Sequence, residues 1–522
     1  MLQTSCGVMV NCNADDSFQP GSRTRRIIRA AHRPVLDAGF DFLRFAGAAV
    51  GGILGNLPGS EASVQSDTSP LYAVLDDAAA RARRYLESLD DRAVAPSPEA
   101  IAALQRLDEP LPAGATSAKD VLALLDEVVS PATMAMAGPR FFGFVIGGAL
   151  PVTVASNWLT TAWDQNAALQ VATPGVSAVE LVALRWLLEV LDLPPQCAGA
   201  FVTGATIANF TALAAARHRV LANAGWDVEE QGLAGAPHIT VIVGDEAHPT
   251  LLKSLSLLGF GRGTLRRIPV DGAGRMRAEL LPPISGPTIL CTQAGNLNTG
   301  AFDPVGEICD RLRGTGTWVH VDGAFGLWAR ASHRLAPLVQ GVEKADSWAT
   351  DAHKWLNVPY DSGLAFVRDA AALRAAMSIT AAYLPAGSGK RSPSDYTPEL
   401  SRRARGVDIW AALRCLGRDG VEAMIDRDCR HARRFAEGLA SAGFHILNDV
   451  QLNQVLVSFG TPELTQSVIA QVQRDGSCWC GVTVWQGQTA MRISVCSWAT
   501  NDEDVEISLI AILRAAHEVG AH

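Results

Sequence analysis

The feature that most constrains the fold is a series of six short apolar runs between residues 200 and 367, most of them separated by helical segments. The runs are AFVTG (200–204), HITVIVGD (238–245), PTILCT (287–292), TWVHVD (317–322), DSWATD (346–351) and GLAFV (363–367). Short apolar strands that alternate with helices are usually joined by crossover connections, so the strands lie parallel and helices cover both faces. The pattern therefore predicts an α/β fold built on a mostly parallel sheet.

Two further regions flank this series. Before it, residues 70–135 carry apolar residues at roughly helical spacing and predict amphipathic helices. After it, the stretch 407–443 predicts a long helix, whereas 453–459 and 491–498 are typical of strands. The acidic first turn of 501–519 favours a closing helix. We therefore expect a second, smaller α/β unit at the carboxyl end of the chain.

The charge and the cysteines argue against several classes of function. The chain has 44 basic and 53 acidic residues, a net charge of −9, whereas general nucleic-acid binding needs a basic face. Its ten cysteines include no C-x-x-C pair, which predicts free thiols in a reducing cytoplasm and no metal site. The apolar run 45–57 is shorter than the roughly 18 residues that span a bilayer. We expect no integral membrane segment; the run belongs to an extension or a docking helix, with membrane-surface attachment as the alternative.

Small or polar residues stand at the ends of four predicted strands, where ligands collect in α/β sheets. A small-residue turn, 204–206, opens an alanine-rich helix whose first backbone N–H groups could bind phosphate. His248 follows the second run, Asp322 ends the fourth, and Lys354 follows the fifth. Considered separately, the first three also have structural explanations: a strand-to-helix turn, a structural histidine and a helix N-cap.

Considered together, these residues point to one chemistry. A lysine among apolar residues can lose its proton and form a Schiff base with an aldehyde. Pyridoxal phosphate requires such a lysine, a carboxylate that keeps its pyridine nitrogen protonated, and a phosphate cradle. Lys354, Asp322 and the turn 204–206 fit these three requirements, and His248 fits an imidazole on the face of the ring.

Eight motifs follow one another in an order that is found in a known enzyme family. They are GPRFFGFVIGGALP (138–151), WDQNAALQVATPGVSAVE (163–180), VTGATIANFTAL (202–213), DEAHPTLLKS (245–254), AGNLNTGAFDPV (294–305), HVDGAFG (320–326), DAHKWL (351–356) and SRRARGVDIWAALRCLGRDG (401–420). In this order the chain resembles the group II pyridoxal-phosphate-dependent amino-acid decarboxylases over roughly residues 70–520. The resemblance implies a fold-type I enzyme, with a seven-stranded, mostly parallel sheet in its large domain.

The resemblance also implies roles for individual residues. Lys354 would carry the cofactor, Asp322 would face the pyridine nitrogen, and His248 would stack on the ring. Further cofactor contacts are implied for Ala205, Thr206, Asn296, Ala324, Asp351 and His353. Asn296 stands where the family has a threonine. Asp351 replaces an asparagine of many animal relatives, and a carboxylate beside a phosphate would repel it.

Three more site residues are expected from the same resemblance. Phe141 and Phe142 lie in the segment that forms the family's substrate site, although they could equally belong to the core. Tyr396 stands in a Gly/Ser/Pro-rich stretch where the family has a mobile-loop tyrosine, thought to protonate the substrate across a dimer interface. A surface tyrosine is the alternative explanation.

The resemblance suggests a division of the chain. We expect an extension at 1–66, a helical dimerisation segment at 67–135, a large cofactor-binding domain at 136–385, a mobile active-site loop at 386–400 and a small domain at 401–522. Active sites of the family form between two subunits, so a homodimer is expected.

The predicted function is decarboxylation of an L-amino acid to its amine and carbon dioxide, with an aromatic substrate slightly favoured. Acidic and diamino acids are the other substrate classes that we consider. An aldehyde synthase or a transaminase would use the same cofactor with a different outcome, and the presence of Tyr396 argues against aldehyde formation. A catalytically silent binding protein would not need Lys354, Asp322 and His248 together.

Overall fold

The computed structural model describes residues 69–379 and 391–521. Residues 1–66, which include the apolar run 45–57, and residues 386–390 of the predicted loop lie outside the described ranges. The eleven strands that the structure describes are β1 Ala198–Val202, β2 Thr240–Gly244, β3 Arg266–Ile268, β4 Thr288–Gln293, β5 Trp318–Asp322, β6 Ser347–Asp351, β7 Gly363–Val367, β8 His445–Ile446, β9 Gln454–Ser458, β10 Gly481–Trp485 and β11 Gln488–Ser494.

Helices precede, connect and follow these strands. In the described part of the chain they are α1 Ser69–Glu87, α2 Pro98–Ala103, α3 Ala118–Leu124, α4 Pro151–Trp163, α5 Pro174–Val190, α6 Ala205–Ala222, α7 Val228–Gln231, α8 Pro249–Leu257, α9 Val305–Arg311, α10 Ala370–Met377, α11 Arg405–Ser441, α12 Pro462–Asp475 and α13 Asp502–Glu518. Within the described ranges, no helix combines the length and apolar character needed to cross a membrane.

The larger sheet has seven strands in the order β1-β7-β6-β5-β4-β2-β3. Strands β6, β5, β4, β2 and β3 are parallel, and β7 runs antiparallel to both of its neighbours. Because β7 reverses direction between them, β1 and β6 point the same way. The predicted α/β class, with a mostly parallel seven-stranded sheet, is confirmed.

Both faces of this sheet are buried, as the apolar runs predict. On one face α6 presents a row of alanines, and Ala208, Ala212 and Ala216 have no exposed surface. On the other face Trp328, Trp348 and Trp355 fill the core and are likewise fully buried. Two covered faces leave the carboxyl edge of the strands as the place where polar side chains can meet a ligand.

The smaller sheet is antiparallel, with the strand order β10-β11-β9-β8. Helices α12 and α13 and the second half of α11 pack on it. Gly417 interrupts α11 with a φ of 62°, a left-handed conformation that glycine adopts without steric cost. The predicted second unit with helices and strands is therefore confirmed, whereas the division of the chain at the predicted boundaries stays a prediction.

Candidate active site

The predicted cofactor residues meet at one edge of the larger sheet. Strands β1, β2, β5 and β6 point toward this edge, and each is followed by one of the segments that the sequence singled out. These are the turn 204–206 after β1, His248 after β2, Asp322 at the end of β5, and Lys354 after β6. The meeting of four separate segments follows from the shared direction of the strands rather than from their proximity in sequence.

Lys354 forms an ion pair with Asp351, because the turn after β6 brings the two side chains together. The distance from Lys354 Nζ to Asp351 Oδ2 is 3.0 Å, and His353 Nε2 lies 3.6 Å from the same oxygen. The carboxylate that looked repulsive beside a phosphate is thus balanced by Lys354. Its second oxygen, Oδ1, is buried and has no hydrogen-bond partner, so it can still accept a proton donor.

His353 is oriented by the backbone. The N–H group of Ser362 donates to His353 Nδ1 at 3.0 Å, which leaves the proton of the neutral ring on Nε2, facing Asp351. Burial lowers the pKa of His353, and the negative charge of Asp351 opposes this shift. We therefore expect His353 to serve as a neutral donor at this edge.

Asp322 and His248 form the other side of the site. Asp322 is 3% exposed and accepts one hydrogen bond at 3.3 Å from the N–H group of Ala324. Burial raises the pKa of Asp322, while the positive fields of His248 and Lys354 pull it down. Such a carboxylate, short of hydrogen bonds, is suited to a ligand group that is both a donor and a cation.

His248 also forms the N-cap of α8. Its Nδ1 accepts the backbone N–H group of Thr250 at 3.3 Å and lies 2.6 Å from the hydroxyl of the same residue. Burial lowers the pKa of His248, and Asp322 is the largest opposing influence. The capping role that sequence reasoning offered as an alternative for Asp322 therefore belongs to His248, and it fixes the ring beside the site.

The turn after β1 has the features of a phosphate cradle. Gly204 precedes the 18-residue helix α6, whose first turn offers backbone N–H groups at Ala205 and Thr206. A Cβ on Gly204 would lie 3.3 Å from His353 Cε1, and a Cβ on Gly363 would lie 2.4 Å from the Gly204 backbone. Glycine is required at 363 so that β7 can pass close to this turn.

Taken together, the chemistry of these groups fits pyridoxal phosphate. The turn 204–206 offers donors to a phosphate, Lys354 offers an amine to an aldehyde, and Asp322 offers a buried carboxylate to a protonated ring nitrogen. Oδ1 of Asp351 is an acceptor that is buried without a partner, so a donor group of a bound molecule would satisfy it, whereas an unprotonated phosphate oxygen would not.

Two other predicted cofactor residues lie at the same edge with part of their bonding capacity already used. Asn296 follows β4, and its side-chain oxygen accepts the N–H groups of Asn298 at 2.8 Å and Thr299 at 3.2 Å. Ala324 donates to Asp322, and its carbonyl accepts the N–H group of Asp351 at 2.9 Å. Their cofactor contacts stay predictions.

Phe141 and Phe142 are core residues in this structure. They are 2% and 1% exposed, and they pack against Trp479 and Phe435 with ring centroids 5.1 Å apart in each case. Phe144, which sequence reasoning did not select, is 58% exposed. The predicted segment therefore offers a different aromatic side chain to the surface.

The backbone around Phe144 is unusual. Phe144 has a φ of 60° and Val145 a φ of 83°, a region that a β-branched residue rarely adopts. The segment continues to Gly147, where a Cβ would lie 1.8 Å from the carbonyl oxygen of Lys354. A strained segment packed against the Lys354 backbone is a candidate wall of the active site.

Tyr396 lies near the amino end of β1, whereas Lys354 follows the carboxyl end of β6. It ends a short 3₁₀ turn, Pro393–Tyr396, and the Arg391 guanidinium carbon lies 4.3 Å from its ring centroid. Arg391 donates to the carbonyl of Gly199, at the start of β1, about 15 Å along the strand from the turn 204–206. The role of Tyr396 as a proton donor stays a prediction that requires a second subunit.

Comparison of the sequence with known protein families identifies the family of this chain. Residues 98–461 match the pyridoxal-dependent decarboxylase conserved domain. The chain belongs to this family. It is a pyridoxal-phosphate-dependent amino-acid decarboxylase, so the predictions of an enzyme, of its cofactor and of its family are confirmed.

Curated decarboxylases with different substrates are similar to this chain. An aromatic-L-amino-acid decarboxylase of Bacillus atrophaeus is 26% identical over 436 residues, 79% of this chain and 88% of its own length. An L-2,4-diaminobutyrate decarboxylase of Rhizobium meliloti (strain 1021) is 29% identical, over 70% of this chain and 74% of its own. An acidic amino acid decarboxylase of Bos taurus is 28% identical, over 63% of this chain and 65% of its own length.

Solved structures share the fold of this decarboxylase. Oryza sativa TDC with PLP and tryptamine superposes with a TM-score of 0.79 at 22% identity, covering 88% of this chain and 99% of its own. Mouse CSAD superposes with a TM-score of 0.80 at 21% identity, covering 86% of this chain and 99% of its own. These likenesses confirm the fold-type I architecture.

Two residues of the decarboxylase site escaped sequence reasoning. Tyr360, which is 53% exposed, stacks on His353 with ring centroids 4.2 Å apart, and partial desolvation of its hydroxyl together with the charge of Asp351 raises its pKa. Arg492 on β11 is 7% exposed, donates to Asn298 Oδ1 at 3.2 Å and leaves its buried Nε without a partner. Tyr360 could have been noticed six residues after Lys354, whereas Arg492 carries no local signal.

Asp428 connects the second unit to the residue after Lys354, and we predict that it makes stability depend on pH. Trp355 Nε1 donates to Asp428 Oδ2 at 2.8 Å, and burial raises the pKa of Asp428 to about 7. Since an unfolded aspartate has a pKa of about 4, the folded state keeps a proton that the unfolded state loses between pH ~4 and ~7. Stability contributed by this group is complete below pH ~4 and is lost as the pH rises through ~7.

Urea unfolding of the wild type and Asp428→Asn at pH 5 and pH 8 measures this effect. The asparagine keeps an acceptor for Trp355 and does not ionise, so the variant should gain stability over the wild type at pH 8. We expect the free energy of unfolding of the variant, relative to the wild type, to be higher at pH 8 than at pH 5 by on the order of 2–4 kcal/mol. An identical pH dependence in both proteins would show that Asp428 does not titrate in this range.

Proposed function

We propose that the preferred substrate of this decarboxylase is an aromatic L-amino acid. The observation that carries the proposal is Phe144, whose exposed ring stacks on Trp479 with centroids 5.4 Å apart. It stands on the strained segment that packs against the Lys354 backbone. Offset contacts between aromatic rings favour an aromatic ligand at such a surface.

The proposed roles of the site residues follow from their positions. Lys354 would hold the cofactor covalently, and the N–H groups of the turn 204–206 would bind its phosphate. Asp322 would accept a hydrogen bond from the ring nitrogen and stabilise its positive charge, and His248 would lie beside the ring. The bound cofactor supplies the electron sink for breaking the bond from Cα to the carboxylate. Burial of Asp322 and Asp351 keeps water from weakening these interactions.

An acidic substrate is the second candidate, and Arg492 is the observation that favours it. The charge of Arg492 helps lower the pKa of His248, so the guanidinium lies close to the site. Within the described residues Arg492 forms no ion pair, and Asn298 is its side-chain acceptor. A buried guanidinium of this kind can pair with a carboxylate of a substrate.

A substrate panel separates these candidates. The full chain, loaded with pyridoxal phosphate, is given L-tryptophan, L-phenylalanine, L-tyrosine, L-glutamate, L-aspartate and L-2,4-diaminobutyrate. We expect amine and carbon dioxide, with the highest kcat/KM for an aromatic substrate. Highest kcat/KM for an acidic substrate would replace the proposal, and aldehyde with hydrogen peroxide and ammonia would identify an aldehyde synthase.

Two sets of variants localise the preference. Phe144→Ala should lower kcat/KM for the aromatic substrate roughly tenfold, while Phe144→Trp retains it. Arg492→Met, of similar length but without charge, should abolish any activity toward an acidic substrate. Unchanged aromatic kcat/KM in Phe144→Ala would contradict the proposed role of this ring.

We also propose that the enzyme is a homodimer, with α4 in the interface. Trp158, Leu159 and Trp163 on this helix are 48%, 53% and 47% exposed. A cluster of large exposed apolar side chains typically marks a protein interface. Light scattering should give twice the 55.2 kDa mass of the chain. A monomer mass at micromolar concentration would overturn the proposal.

A further inference from the structure

A chain of hydrogen bonds runs through the buried interior behind the active site. His320 Nδ1 lies 2.8 Å from Ser347 Oγ, and its Nε2 lies 2.8 Å from Asn209 Oδ1. Trp318 Nε1 reaches the same Ser347 oxygen at 2.8 Å. His320, Ser347 and Asn209 have no exposed surface, so water does not compete for these bonds.

The donors allow one arrangement of protons along this chain. Asn209 Oδ1 can only accept, so His320 Nε2 donates to it and Nδ1 of the neutral ring is an acceptor. Ser347 therefore donates its hydroxyl proton to His320 Nδ1 and accepts from Trp318 N–H. Burial lowers the pKa of His320 to about 3, which keeps the ring neutral as this arrangement requires.

These hydrogen bonds join three of the elements that deliver active-site residues, α6, β5 and β6. Asn209 lies on α6, five residues after Gly204 in the phosphate turn. His320 lies on β5, two residues before Asp322 and on the same face of the strand. Ser347 begins β6, which ends at Asp351. No other hydrogen bond between side chains connects α6 to β5 in the part of the chain that the structure describes.

We propose that His320 is a positioning residue, which sets the distance between the phosphate turn at the start of α6 and the carboxylate of Asp322. The inference rests on the proposed roles of this turn and of Asp322. A cofactor that is held at its phosphate and at its ring nitrogen needs both ends at a fixed separation. The imidazole of His320 belongs to the same strand as Asp322, and its hydrogen bonds to Asn209 on α6 and to Ser347 on β6 supply that separation.

Cofactor binding without substrate tests the inference. We expect His320→Leu to raise the Kd for pyridoxal phosphate roughly tenfold or more, because two buried hydrogen bonds are lost and their partners are left unsatisfied. The pH midpoint of the absorption of the bound cofactor should shift by about half a unit, since Asp322 moves relative to the ring. His320→Gln, which can accept from Ser347 and donate to Asn209, should restore part of the affinity.

Ser347→Ala is a milder variant, in case His320→Leu fails to fold. Its matched control is Ser508→Ala, which removes an equally buried hydroxyl that donates to the Asp504 carbonyl in α13. We expect Ser347→Ala to weaken cofactor binding and Ser508→Ala to leave it unchanged at a similar loss of Tm. An unchanged Kd and absorption midpoint in Ser347→Ala would overturn the inference.

These measurements use no amino-acid substrate, so they are independent of the proposed substrate class. If Asp322→Asn leaves the absorption midpoint at its wild-type pH, the proposed role of Asp322 fails. If Asp322→Asn shifts the midpoint and His320→Leu does not, the positioning role of His320 alone fails.

Discussion

Replacing Lys354 with alanine should abolish both the covalent attachment of pyridoxal phosphate and decarboxylation. Lys354 is the predicted attachment residue at the carboxyl edge of the sheet, and its amine lies 3.0 Å from Asp351, which holds it in place. Without this amine the site lacks the protein nucleophile that we assign to the aldehyde of the cofactor. We expect turnover to fall on the order of 10⁴-fold or more.

Absorption spectroscopy and carbon dioxide release measure the two effects separately. Borohydride reduction followed by peptide mass spectrometry should locate the cofactor on Lys354 in the wild type and nowhere in the variant. Lys119→Ala, on α3 at the surface, is the matched control and should behave as the wild type. Unchanged turnover in Lys354→Ala, or cofactor attached to another lysine, would refute the assignment.

Much of the large sheet could be predicted because its signal is local. Buried parallel strands are short apolar runs, and six of the seven strands correspond to such runs. β3 was missed because only three residues form it and two of them are exposed at the sheet edge. The apolar run of β7 does not indicate that this strand is antiparallel to its neighbours, because its direction depends on the length of the connection from β6 to β7, which contains Lys354.

The site was predictable where residues stand at strand ends, and less so elsewhere. His248, Asp322 and Lys354 could be placed at one edge because parallel strands share a direction. The partners of Asp351 could not be deduced from the fold class, since they depend on the conformation of the turn after β6. Arg492 approaches from the second sheet, and no local pattern distinguishes it from the other arginines of the chain.

The exposure of the phenylalanines in the segment 141–144 could not be predicted from the sequence either. Phe141, Phe142 and Phe144 have similar compositional surroundings, so sequence reasoning had no basis for separating the core residues from the exposed one. The separation depends on the backbone at Phe144 and Val145, where the left-handed conformation reverses the direction of the side chains.

Asp322→Asn should preserve cofactor attachment and lower turnover on the order of 10³-fold. The asparagine has nearly the same shape, so the N–H group of Ala324 keeps an acceptor at this position. It lacks the negative charge that favours a protonated ring nitrogen, and without that proton the ring is a weaker electron acceptor. The loss should therefore appear in kcat, with a smaller change in KM.

Steady-state kinetics and the absorption of the bound cofactor test this expectation together. Asp408→Asn is the matched control, because Asp408 is also a buried carboxylate but lies on α11 rather than at the carboxyl edge of the sheet. Its carboxylate accepts hydrogen bonds from Ser156 at 2.6 Å and from Asn157 at 2.9 Å. We expect wild-type kcat in the control and wild-type attachment in both variants. A kcat in Asp322→Asn within about threefold of the wild type would mean that the charge of Asp322 does not drive the reaction, because a buried ion pair with the ring nitrogen is worth considerably more.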